Sequence, residues 1–181
     1  LKESIAVIAC NKIACSGMNN YYKKLKTMSI KYNAPFLFET NVGAGLPVID
    51  TLNNLIASGD QILEIHAVLS GSLNFIFNNY KGDEKFVNII KQANIEGFTE
   101  PDPRIDLSGV DVARKLLILA RESGFSIDMK DVENSSFLPN GAIETDSVKE
   151  FYTFIESQEN IFKSIYEEAK KNNAQLKLSL I

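Results

Sequence analysis

The stretch Gly97-Phe98-Thr99-Glu100-Pro101-Asp102-Pro103-Arg104-Ile105-Asp106-Leu107, continued by Ser108-Gly109-Val110-Asp111-Val112-Ala113-Arg114-Lys115, carries most of the meaning of this chain. Its first half reads as a loop in which Glu100, Asp102, Arg104 and Asp106 crowd together and two prolines restrict the backbone. Proline lowers the entropy of holding such a loop, which suits a site that keeps carboxylates in fixed positions. The same string also reads as a solvated turn with helix-capping acids. From Ser108 the pattern turns helical, with Val112, Leu116, Leu119 and Ala120 at helical spacing and Gly124 as the stop. Asp111 and Lys115 stand at i and i+4, so they share a helix face beside the apolar stripe. In a cleft, such a carboxylate can fix a lysine as a donor or proton-transfer group. On an open surface the pair is an ordinary ion pair worth about 0.3–0.5 kcal/mol.

Outward from this stretch the elements alternate. Ile5 to Cys10 reads as a buried strand. Ser16 caps an expected helix to about Lys31, with Met18, Tyr22, Leu25 and Met28 at helical spacing, and Pro35 closes that region. Phe36 to Glu39 is a short strand, followed by a turn and a helix through Val48, Leu52, Leu55 and Ile56 that stops at Ser58-Gly59-Asp60. Ile62 to Leu69 reads as a strand, and Leu73 to Tyr80 and Phe86 to Glu96 as helices. Residues 125–146 read as loop, and one long helix is expected from about Ser147 to Asn172, its apolar side carrying Phe151, Phe154, Ile155, Ile161, Phe162 and Ile165. Leu176 to Ile181 alternates like a strand. The class is α/β, with helices and strands mixed. Strand-like segments at both ends lack partners, so the chain is expected to be an excised piece of a longer polypeptide.

Two turns deserve chemical scrutiny. Thr40 to Pro47, with Gly43 and Gly45, follows a strand, and glycines there let backbone groups point at an ion or ligand. It lacks the third glycine of a dinucleotide fingerprint, because position 48 is Val; otherwise it is a strand-to-helix turn. Ser70-Gly71-Ser72 is a helix cap by default and a carboxylate or anion contact at most. His66, in an apolar alternation, is expected to be packed. Cys10 and Cys15, with His66 far away, cannot supply the usual four zinc ligands.

Composition sets the outer bounds. The chain has 181 residues, 45% hydrophobic and 23% charged, with 10 Gly and 5 Pro. These values exclude a disordered, collagen-like or disulfide-dense polypeptide. A net charge of -4 argues against a nucleic-acid partner. No apolar run reaches the ~20 residues of a membrane helix, and no signal peptide is evident. Two thiols suit a reducing compartment, so a cytoplasmic protein with no membrane partner is expected.

The strings CNK (10–12), ETNVGAGLPVI (39–49), LSGSLNFIF (69–77) and GFTEPDPRIDLSGVDVARKLLILARESG (97–124) resemble homoserine dehydrogenase, most of all the dehydrogenase part of bifunctional aspartokinase–homoserine dehydrogenases. The resemblance implies NAD(P)-dependent interconversion of aspartate 4-semialdehyde and homoserine, on the path to threonine and methionine. It implies a catalytic domain with a mixed sheet covered by helices. Residues 1–35 would be the end of a Rossmann-type nucleotide-binding domain, and 36–181 the catalytic, substrate-binding and dimerisation domain. It also implies roles. Lys115 would be the acid/base on the substrate oxygen and Asp111 would help bind homoserine. Glu100 and Asp106 would bind the substrate amino group, and Ser72 would contact substrate. Lys12 would face nicotinamide and substrate, and the Gly97 backbone would lie against the cofactor. Glu39 and the carbonyls of Val42, Ala44 and Leu46 would match a site for Na+ or K+. A homodimer and a fused aspartokinase are the implied partners.

Ile105 replaces the first of two acids usual after PDPR, and Phe98 stands where tyrosine is common. No glycine-rich βαβ unit precedes Ile5, so the chain alone is expected neither to bind NAD(P) tightly nor to turn over. A different class of function stays open, that of a non-catalytic assembly or regulatory module in a bifunctional enzyme. Ile105 leans toward it; retention of Lys12, Glu100, Asp111 and Lys115 leans toward catalysis.

Overall fold

Parallel strands need a crossover, and helices between Cys10 and Pro35 supply one in the computed structural model, which describes residues 1–176. Strand β1 (Val7–Ile8) pairs in parallel with β2 (Phe36–Leu37), Val7 opposite Phe36 and Ile8 opposite Leu37. The ladder is extended by Val7 N–H to Pro35 O and Ala9 N–H to Leu37 O, both 2.8 Å. Both strands are shorter than the apolar runs suggest. The second turns after Phe38 into a 3-10 turn over Glu39–Asn41.

The described residues divide into two compact units. The first comprises Leu1–Leu69 with Val112–Glu133. Here the helix expected from Ser16 is two helices, α1 (Ile13–Ser16) and α2 (Asn19–Lys31). Ser16 closes α1 instead of capping α2, since its hydroxyl donates back to Lys12 O at 2.9 Å. Gly17 makes the break, and a Cβ there would sit 2.9 Å from Ile13 O. Met18, expected on the apolar stripe, precedes α2 and is exposed. Helix α3 (Val48–Ala57) follows the Gly43 turn. Cys15, Tyr22, Phe36, Phe38, Val42, Ile49 and Leu52 form the core with Ile118 and Leu119 of helix α7 (Val110–Glu122). Residues 62–69 run extended, with a bridge at Ala67, and form no strand of the described sheet. Leu63 on this segment is 91% exposed, and His66 is exposed rather than packed, 2.9 Å from Glu64.

The second unit comprises Ser70–Asp111 and, among the described residues, 134–176. It holds α4 (Gly71–Asn79), α5 (Phe86–Ile95), the short α6 (Pro103–Leu107), the first residues of α7, α8 (Val148–Ser157) and α9 (Glu159–Lys171). Phe86 stacks on Phe162 at 4.1 Å and meets Tyr80 edge-on at 5.1 Å, next to buried Val87, Ile90, Phe151 and Ile155. The long terminal helix expected from sequence breaks at Gln158. The break brings the Glu159 carboxylate to the Tyr80 hydroxyl at 2.9 Å and the Phe86 N–H at 2.8 Å. Ile161 and Ile165, expected on the apolar side, are exposed. Among residues 125–146, Met129–Asp131 forms a 3-10 turn closed by a capping box from Asp128. The strand expected over Leu176 to Ile181 lies outside the described residues, apart from Leu176 itself. No helix of the described residues is long and apolar enough to cross a membrane.

Candidate active site

In the second unit, α5 ends on Gly97, whose φ of +76° lets Phe98 N–H return to Ala93 O at 2.9 Å and close the helix. The chain leaves through Thr99-Glu100-Pro101. Asp102 then accepts from Arg104 N–H at 3.0 Å and, with Pro103 behind it, starts α6, so the expected loop is partly helical. The Arg104 guanidinium folds back on the same carboxylate at 2.6 Å and donates to Thr145 O, and this hydrogen bonding holds the Asp102 carboxyl below the usual carboxylate range.

Asp106 is the hub of the loop. One carboxylate oxygen accepts from the Ser72 hydroxyl at 2.9 Å and the other from Glu100 N–H at 2.8 Å. Ser72 lies at the start of α4, where Ser70 is the N-cap, accepting from Leu73 N–H at 3.1 Å. The default reading of Ser70-Gly71-Ser72 as a cap therefore holds for Ser70, while Ser72 joins the loop. Glu100 is exposed, as is Gly97, and Phe98 stacks on Phe75 at 4.2 Å. Ile105 is 57% exposed. One further side chain that holds this loop, Asn94, was missed in the sequence, as was the distant partner of Arg104. Asn94 donates to Thr99 Oγ1 at 3.0 Å and Glu100 O at 2.9 Å, and Arg104 reaches Thr145 O as noted. An Asn three residues before a helix-ending Gly was the available signal for the first. Nothing local pointed to Thr145.

In the first unit, Lys115 lies on α7, half-buried, and its Nζ donates to Leu69 O at 2.6 Å. Asp111 stands one turn ahead of it on the same helix. Lys12 is the residue preceding α1, and its carbonyl accepts from Ser16 N–H at 2.8 Å. A buried cluster missed in the sequence joins these helices. Arg121 of α7 donates to Cys15 O at 2.6 Å, Gly17 O at 2.7 Å, Ile127 O at 3.0 Å and Asp128 at 3.0 Å. Its neighbour Glu122 accepts from the Tyr22 hydroxyl and pairs with Lys26 at 3.0 Å. Burial, then the charge of Glu122, pushes the Cys15 thiol up to about 12; burial, then the hydrogen bond to Glu122, raises Tyr22 as well.

The turn proposed for a monovalent cation is also in this unit. Glu39 spends its two oxygens on Ile49 N–H (2.8 Å) and Asp50 N–H (2.9 Å), so it caps α3. Gly43 and Ala44 are left-handed, at φ +81° and +54°, and Leu46 O accepts from Val48 N–H at 2.9 Å. Among the described residues no group of three or more His, Cys, Asp or Glu could hold a metal ion.

Comparison with known proteins agrees with the resemblance drawn above. The chain is 47% identical over 151 residues to bifunctional aspartokinase/homoserine dehydrogenase 2, chloroplastic, of Arabidopsis thaliana, covering 83% of this chain and 16% of that protein. It is 38% identical over 177 residues to homoserine dehydrogenase of Schizosaccharomyces pombe, covering 94% of this chain and 47% of the relative. A Candida auris protein of unknown function superposes with a TM-score of 0.92 at 32% identity, over 99% of this chain and 52% of that one. A hyperthermophilic archaeal homoserine dehydrogenase in complex with NADPH does so with a TM-score of 0.61 at 30% identity, over 74% and 43%. The chain thus spans less than half the length of these curated relatives. The family profile of homoserine dehydrogenase covers residues 47–181, and on that match the chain belongs to the homoserine dehydrogenase family.

Proposed function

We propose that the protein carrying this chain is an NAD(P)-dependent homoserine dehydrogenase, and that the chain supplies its substrate-handling residues. The observation that carries this reading is the loop of Glu100 to Asp106, whose acids are held in place by Ser72 and the backbone within a chain of this family.

Reduction of aspartate 4-semialdehyde adds a hydride to the aldehyde carbon and a proton to its oxygen, leaving homoserine. A reduced nicotinamide supplies the hydride when bound. The residues present fit such a group at one point: Gly97 is exposed, and beyond its two chain neighbours no atom stands within 4 Å of where its Cβ would be, so its backbone is open to a flat ring. Lys12 would face that ring and the substrate. Lys115 stabilises negative charge developing on the oxygen and delivers the proton, a role suited to a cation in a half-buried setting. Asp111 orients the substrate one turn away. Glu100, Asp106 and Ser72 recognise the ammonium group of the amino acid through charge-assisted bonds. Of these, Asp106 is held by the Ser72 hydroxyl and the Glu100 N–H, while Glu100 is exposed and is the more accessible carboxylate for the ammonium.

Residues 1–35 are the end of the nucleotide-binding domain in this reading, and 36–181 the catalytic and dimerisation domain. Na+ or K+ would be held by Glu39 with the carbonyls of Val42, Ala44 and Leu46; each oxygen already bonded keeps a second lone pair, and the ion would offset the Glu39 charge. A homodimer is the further partner in this reading, carried by the family resemblance. A fused aspartokinase is supported by the bifunctional relatives, and cytoplasmic work on the threonine and methionine path by the two free thiols.

The test is NAD(P)H-dependent reduction of aspartate 4-semialdehyde by the full-length protein, beside Lys115→Ala. Activity that falls by at least about 100-fold in the variant supports the assignment. A well-folded, inactive parent refutes it and leaves the role of assembly or regulatory module.

A further inference from the structure

We infer that Asn94 is a positioning residue for Glu100, and through it sets how strongly the enzyme prefers substrates bearing an ammonium group. The inference rests on the role proposed for Glu100. Both peptide groups of that residue are pinned: its N–H donates to Asp106 at 2.8 Å and its carbonyl accepts from Asn94 at 2.9 Å. The Thr99 hydroxyl tightens the same corner, accepting from Asn94 at 3.0 Å and donating to Glu100 O at 3.1 Å. Asn94 can do this because it sits in the last turn of α5, immediately before the left-handed Gly97 sends the chain back past it. Its own N–H and carbonyl stay with the helix end, Gly97 N–H reaching Asn94 O at 3.1 Å, so only the side-chain amide serves the loop.

The consequence concerns the root of the Glu100 side chain. A glutamate has three rotatable bonds and an exposed carboxylate samples many rotamers, so recognition of an ammonium depends on a fixed Cα and peptide plane from which few rotamers reach the target. Asp106 shares its carboxylate between the loop and Ser72, whereas the Asn94 amide is dedicated to residues 99–101. Asn94→Asp keeps the shape, removes the donor and sets a negative charge against the Glu100 carbonyl.

The experiment compares full-length wild type with Asn94→Asp and Asn94→Ala, measuring homoserine oxidation, inhibition by 4-hydroxybutanoate, which lacks the amino group, and amide hydrogen exchange across residues 98–102. The expected result is a KM for homoserine raised about five- to tenfold, as for the loss of one to two hydrogen bonds. The KM for the cofactor, kcat and inhibition by 4-hydroxybutanoate stay within about twofold, and exchange at residues 98–102 accelerates. Equal weakening of homoserine and 4-hydroxybutanoate, or lower thermal stability with an unchanged KM, overturns the inference. If wild type shows no dehydrogenase activity, the proposed function fails, and the exchange result alone decides whether Asn94 holds the loop: unchanged exchange refutes it.

Discussion

Arg121→Met tests whether the buried cluster of the first unit holds α7 in place. The guanidinium is fully buried and makes four hydrogen bonds, to Cys15 O, Gly17 O, Ile127 O and Asp128. Methionine fills much of the volume and supplies no donor. Asp128 is 42% exposed and can turn to water, so its loss counts little. The Cys15 carbonyl is buried and those of Gly17 and Ile127 are partly so, and a buried acceptor left unpaired costs about 1–3 kcal/mol. Removing the arginine also relieves the desolvation of its own charge, which burial already disfavours. The net expectation is a loss of about 3–5 kcal/mol, the low end of that cost taken over the three carbonyls. For a chain of this size that corresponds to a fall in Tm of roughly 6–20 °C. Urea unfolding of the 181-residue chain, followed by tyrosine fluorescence and circular dichroism, reads it out, with exposed Arg114→Met as control. A loss below about 1 kcal/mol, comparable to the control, would mean that these bonds are not what anchors α7.

Under native conditions at pH 8, iodoacetamide should label Cys10, which is exposed, and spare Cys15, whose buried thiol is pushed up to about 12; intact-mass analysis finding two labels would contradict this. The same burial predicts alkaline instability. Cys15 and Tyr22 ionise more readily in the unfolded chain, so stability holds below about pH 9 and falls as pH rises toward 12, by up to tenfold in the folding constant per pH unit per group. Tyr22→Phe should soften that decline, and an unchanged profile would count against it. Gly97→Ala meets no neighbour and should cost about 1 kcal/mol for its left-handed backbone. Gly43→Ala adds a Cβ 2.6 Å from a Val48 methyl to the same strain, and should be worse by about 1 kcal/mol or more in urea unfolding. Ser72→Ala should cost about 1 kcal/mol by freeing one oxygen of Asp106; an unmoved unfolding midpoint would remove that bond from the account.

The helices most legible in the sequence are those whose apolar spacing and stop signal agree. α3, α5 and α7 fall within a few residues of where periodicity and Ser58-Gly59, Gly97 and Gly124 place them. What escaped was decided by partners distant in sequence. The break at Gln158 has no proline or glycine to announce it and coincides with Glu159 bonding Tyr80 and Phe86, residues more than seventy positions away. Ile62 to Leu69 has the alternation of a strand, but alternation reports a half-buried segment and does not say whether a ladder forms beside it. For the site, the residue types of Glu100, Asp106 and Ser72 were readable, and their mutual hydrogen bonds were not. Arg121 was invisible, and Asn94 was marked only by its place before Gly97, because an amide or guanidinium matters here through the carbonyls it meets, and carbonyls leave no trace in a sequence.

The Glu159 carboxylate has one further implication, for engineering. By gripping Tyr80 at the end of α4 and Phe86 at the start of α5, it staples both ends of the exposed segment Lys81 to Lys85, so the span between them is set by the staple and not by the segment's own length. Lengthening a loop whose ends are already fixed adds little entropy to overcome. Gly82 must stay, because its left-handed backbone passes against the Tyr166 ring, but the junction of Asp83 and Glu84 is a place where a tag or fluorescent reporter can be spliced in while both helices keep their seats.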